Sequence, residues 1–108
     1  MDVVPPLILF EVATPLGFRV RVDRSRWGLI VDEKHPAMKG RESEVRFALE
    51  YPDEVRQSKI DEAVFLFYRA FGAKRWVCAV AGRRTEIAYL ITAYPTDAIK
   101  EGVRVWPK

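Results

Sequence analysis

Three runs of β-branched and aromatic residues, separated by two glycine turns, limit this chain more than any other feature. Residues 62–70, 75–81 and 86–93 are rich in Val, Phe, Tyr, Trp and Ile, with Gly72 and Gly82-Arg83-Arg84 between them. Runs of this length and composition separated by turn residues specify consecutive strands joined as a meander. An upstream pair agrees. Residues 7–12 are apolar but for Glu11, Pro15-Leu16-Gly17 supplies a turn, and Phe18-Arg19-Val20-Arg21-Val22-Asp23 alternates strictly. That period of two places Phe18, Val20 and Val22 on one face of a hairpin strand.

Between hairpin and meander the period changes. Trp27, Ile30, Val31, Lys34 and His35 fall on one face of a helix that Ser25 would cap and Pro36 would stop. A second helix is expected from Arg41 to Glu50, with Val45, Ala48 and Leu49 as its apolar stripe, ended by Pro52-Asp53. Residues 103–106 add a short edge strand. The order predicts an α+β fold, with two helices on one face of a mainly antiparallel sheet and an N-terminal β-hairpin.

At 108 residues the chain has room for one domain, expected to span 1–108, and it is long enough to fold without a disulfide or structural metal. Cys78 sits in an apolar run and reads as a small buried hydrophobe. The opening Met1-Asp2 is acidic, Pro5-Pro6 interrupts the first apolar stretch, and no run approaches the length of a membrane span. The expectation is a soluble cytoplasmic protein with no membrane partner. A net charge of +3 names no partner by itself, but arginine outnumbers lysine twelve to six, and its planar fork suits phosphate.

One His and one Cys cannot supply the usual three or four zinc ligands, and there is neither a phosphate-binding glycine loop nor a nucleophile elbow. No metal and no cofactor are expected. Acid–base chemistry without a metal, or simple binding, is what remains. His35 is the only imidazole, placed at a helix C-terminus where the helix dipole favours its protonated form; the alternative is a packing histidine. Tyr68 and Arg69 end the first meander strand, Lys74 and Arg75 open the second, and Thr92 and Tyr94 end the third, where Pro95 is expected to close it. If the first and third strands run parallel, Tyr68, Arg69, Lys74, Thr92 and Tyr94 gather at one edge of the sheet.

The segments RWGLIVDEKHPAMKG, YPDEVRQS, VFLFYRA, KRWVCAVAG and YLITAYPTDAIKEGVRVW resemble, over residues 24–106, a family of small microbial and phage-associated proteins. That family is assigned to the barnase–EndoU–colicin–RelE (BECR) group of metal-independent ribonucleases. The resemblance implies one RelE-like domain, a toxin-like endoribonuclease activity, RNA as substrate, and an antitoxin or a second copy of the chain as partner. Carried over by position, it implies His35, Arg46, Tyr68, Arg69, Thr92 and Tyr94 as site residues. A second histidine is missing, so a tyrosine or carboxylate would have to share acid–base work with His35. The alternative is a non-catalytic RNA- or protein-binding domain of the same fold.

Overall fold

The computed structural model describes residues 8–108; Leu7, where the first strand is expected to start, and Pro5-Pro6 lie outside the described residues. The elements are β1 (Ile8–Ala13), β2 (Arg19–Asp23), α1 (Arg24–Leu29), α2 (Glu42–Glu50), β3 (Glu54–Gln57), β4 (Val64–Ala70), β5 (Trp76–Arg83), β6 (Ile87–Thr96) and β7 (Val103–Trp106). A π-helical turn (Ile30–Lys34) and a 3₁₀ turn (Pro36–Met38) join α1 to α2. The seven strands form one sheet in the order β1-β2-β6-β5-β4-β3-β7. Every pairing is antiparallel except β2 with β6. The fold is α+β, with the expected hairpin.

The helix-side face carries the main core. Alternation delivers Val20 and Val22 from β2, Phe67 from β4, Val77, Ala79 and Ala81 from β5, and Ala88, Leu90 and Ala93 from β6. Trp27, Ile30 and Met38 cover them at one end, and the α2 stripe of Val45, Ala48 and Leu49, each fully buried, covers them at the other. The outward arginines of β2 have a structural task as well. Glu11 on β1 accepts hydrogen bonds from Arg19 at 2.8 Å and Arg21 at 2.9 Å, a cross-strand cluster.

Several boundaries differ from the expectation. Ser25 lies inside α1; Asp23 takes the N-cap position, without a side-chain cap. The helix does not run straight on to His35, because residues 30–34 widen into the π turn and the His35 amide donates to the Ile30 carbonyl at 2.6 Å. β3 is an extra strand, and its four residues with one buried side chain, Val55, are too short for a legible period. Gly82 and Arg83 belong to β5, not to the turn. Pro95 does not close β6, which continues to Thr96. β2 pairs with β6 only from Ile87 to Tyr89, so the far end of β6 has an open edge that tolerates a residue with no N–H.

Gly102 holds the last turn in place. At φ +78°, a Cβ there would run into the Gln57 carbonyl oxygen, so only glycine lets the chain settle against β3 before β7 pairs with it.

Candidate functional site

β4 and β6 are both antiparallel to β5 and therefore parallel to each other, which aligns Tyr68 with Cys78 and Cys78 with Tyr94 in one rung across three strands. All three point away from the helices. Leu66, Tyr68, Cys78 and Val80 form a second, smaller core, with Trp76, Tyr94 and Ile99 packed on it. The chain beyond β6 returns over this cluster, leaving a hollow of about 110 Å³ lined by Tyr68, Tyr94, Thr96, Asp97, Lys100 and Glu101 among others. Tyr68 is 1% exposed. Burial, reinforced by the proximity of Cys78, holds the hydroxyls of Tyr68 and Tyr94 well above the ordinary tyrosine range. Burial likewise pushes the Cys78 thiol up to about 12. These groups are protonated near pH 7, so the tyrosines are hydrogen-bond donors there and, with raised values, weaker acids than an exposed tyrosine.

The next rung is Arg69–Val77–Pro95, and Arg69 therefore faces the helices. Its guanidinium donates to the Tyr51 carbonyl at 2.6 Å and lies 5.8 Å from the centre of the Phe47 ring. Arg46, on the outward side of α2, sits 3.6 Å from Glu50 and 5.9 Å from the Phe10 ring centre. The structure thus brings Tyr68 and Tyr94 together and places Arg46 and Arg69 on the opposite side of the sheet.

His35 does reach Tyr94. Because β2 stops pairing with β6 at Tyr89, the 3₁₀ turn packs against the open end of β6 and delivers the preceding residue there. The two rings lie 5.6 Å apart at their centres, tilted by 39°. His35 is half-buried, at the C-terminus of the π turn.

Thr92 lies opposite Val80, at the register shift where Ile91 is the extra residue of β6. Its Oγ1 is buried with no hydrogen-bond partner among the described residues. It does not open into a solvent-facing site.

A groove of about 540 Å³ is lined by Ala37, Arg41, Phe71, Lys74, Arg75, Pro95, Thr96 and Asp97, and reaches the chain neighbours of His35 and Tyr94 rather than those two side chains. Ala37 and Pro95 are two residues and one residue along the chain from His35 and Tyr94. Arg41 is held by Glu44 through contacts of 3.1 and 2.8 Å and lies 4.3 Å over the Phe71 ring. Lys74 and Arg75 are exposed at the β4–β5 turn. Lys74 adopts φ 54°, a left-handed conformation that is uncommon outside glycine. Reasoning from sequence singled out Lys74 and Arg75 and missed Arg41, whose place at the mouth depends on the turn after Pro36.

Among the described residues, no group of three His, Cys, Asp or Glu side chains could hold a metal ion, and no helix is long and apolar enough to cross a membrane. Comparison with protein families, curated proteins and solved structures finds no match to this chain.

Proposed function

We propose that the protein is a metal-independent endoribonuclease that binds single-stranded RNA in the groove beside His35 and Tyr94. The observation that carries this reading is the His35–Tyr94 contact, whose chain neighbours Ala37 and Pro95 line one groove with Arg41, Lys74 and Arg75. In the proposed reaction, the His35 imidazole takes the proton of the RNA 2′-hydroxyl. The resulting oxygen attacks the adjacent phosphorus, and the 5′-oxygen leaves with a proton from Tyr94, which the His35 imidazolium in ring contact with it then replaces. The products are a 2′,3′-cyclic phosphate and a free 5′-hydroxyl. Arg41, Lys74 and Arg75 oppose the charge that builds on the phosphorane, the role sequence reasoning gave to Arg46 and Arg69.

Incubation with structured and single-stranded RNA in excess chelator tests this. Cleavage leaving cyclic phosphate ends is expected. Loss of cleavage with chelator and its return with magnesium would sink the mechanism. Binding without cleavage would favour a non-catalytic RNA-binding domain.

A further inference from the structure

We propose that the hollow between α2 and the β4–β5 turn holds one unstacked base of the RNA whose phosphates occupy the adjoining groove. The proposal rests on the RNA reading above and names how that site would take its substrate. The hollow, about 220 Å³, is lined by Glu44, Phe47, Arg69, Ala70, Phe71 and Val77.

Its walls are aromatic and exposed for no packing reason. α2 already buries Val45, Ala48 and Leu49, yet Phe47 lies off that stripe at 50% exposure, and Phe71 at the turn is 41% exposed. Single exposed hydrophobes are ordinary, but two phenyl rings bounding one hollow form a patch. Exposed aromatic faces backed by arginine are the usual platform for nucleobases, since every base offers a π-face. Arg41 backs Phe71 at 4.3 Å and Arg69 backs Phe47 at 5.8 Å.

Phe71 also lines the basic groove, so the two hollows are neighbours with a common wall. That arrangement fits a nucleotide with its phosphate beside Lys74 and Arg75 and its base over Phe71. The hollow is smaller than the roughly 300–1,000 Å³ of drug-sized pockets, which suits a single planar group. Its rim favours a base over an acidic peptide. Glu44 offers carboxylate acceptors and Arg69 offers donors, whereas a base edge carries both kinds of group and a peptide carboxylate would be repelled by Glu44.

The test is fluorescence anisotropy on the full chain with 2′-O-methyl oligonucleotides, which 2′-hydroxyl attack cannot cut, against abasic backbones of equal length and charge. The wild-type chain should bind the base-bearing strand at least about tenfold more tightly. Phe47→Ala and Phe71→Ala should each lose roughly five- to 150-fold on that strand, in line with stacking losses on alanine substitution, and little on the abasic backbone. Phe47→Trp should restore binding, and circular dichroism should confirm that each variant is folded. Equal wild-type binding of both strands, or Phe47→Ala and Phe71→Ala both binding like wild type, would overturn the base pocket and leave the RNA groove standing. No binding of either strand at low salt would overturn the RNA reading and the pocket with it. Phe47-dependent binding of an acidic, leucine-rich peptide with no base preference would reassign the hollow to a protein partner.

Discussion

The two faces of the β4–β5–β6 meander use similar side chains in opposite ways. On the face away from the helices, Tyr68 and Cys78 are buried, Tyr94 is half-buried beside them, and all three are kept protonated under the chain that returns from β6. On the helix side, Arg69, Phe47 and Phe71 stay at least partly exposed around an open hollow. Adjacent residues, Tyr68 and Arg69, end on different sides with different fates. A reactive side chain at a strand end is therefore a site candidate only when its rung stays open. Tyr94 sits at the junction, belonging to the closed cluster while touching His35 at the open edge of β6.

The largest effect should separate these roles. If His35 supplies the acid or base, His35→Ala should leave a folded protein whose RNA cleavage falls by about 10²-fold or more. Tyr68→Phe, in the closed cluster, should lower stability by about 1 kcal/mol and leave the rate unchanged. Single-turnover cleavage with thermal melts of both variants checks the contrast. Wild-type cleavage by a folded His35→Ala variant would remove the imidazole from the mechanism.

The next effect concerns pH. The closed face contains groups whose folded pKa values are raised by burial: Cys78 from 9.0 to about 12, and both tyrosines above 10.0. The folded state therefore prefers their protonated forms. Their contribution is fully present below about pH 9 and is lost as pH rises through the folded values. Urea midpoints should fall steadily from pH 9 toward 12. Cys78→Val should flatten the first part of that fall, while Phe47→Ala, on the open face, should leave the profile's shape unchanged. A wild-type midpoint that is flat across this range would show that these groups are not desolvated.

Much of this arrangement was legible from the chain. The alternation of Phe18 to Asp23, the apolar runs of the meander with the turn at Gly72, and the stripe of Val45, Ala48 and Leu49 are signals with strong burial behind them, and they specified the sheet and its helix-covered face; the turn expected at Gly82 falls two residues later. Less legible were features set by pairing rather than period. The open edge of β6 depends on where β2 stops, and that edge is why Pro95 is tolerated inside a strand and why His35 reaches Tyr94. The π turn shifts His35 in a way no 3.6-residue pattern foretells. For the site, an alternating strand implies that Tyr68 and Arg69 diverge, so their separation was readable in principle. Phe47 was readable too, as a large apolar residue outside the stripe of its own helix.

A smaller effect is expected at Lys74, where binding and stability should move in opposite directions. Its left-handed conformation costs a non-glycine residue about 1 kcal/mol, and the turn holds its ammonium at the groove. Lys74→Gly should relieve that cost and raise stability by up to about 1 kcal/mol, net of the added chain entropy of glycine. The same change should weaken RNA binding and lower the slope of log affinity against log salt by about 0.7, the value for one phosphate contact on a single strand. An unchanged slope would place the RNA elsewhere.

The smallest effect, at Thr92, tests whether a polar residue at a strand end must be functional. Among the described residues its hydroxyl has no partner, whereas Tyr94 two residues on reaches both the cluster and His35. A buried hydroxyl with no acceptor has given up its hydrogen bonds to water without replacement, a cost of about 1–3 kcal/mol. Thr92→Val keeps the β-branched shape and removes that cost, so stability should hold or rise slightly, with RNA binding and cleavage unchanged. Thr92→Ser keeps the hydroxyl and loses a methyl group, so it should be the less stable of the two. If Thr92→Val instead lowers cleavage while melting at or above the wild-type temperature, the hydroxyl acts in the reaction, and the edge of β6 must open enough during turnover for substrate to reach it.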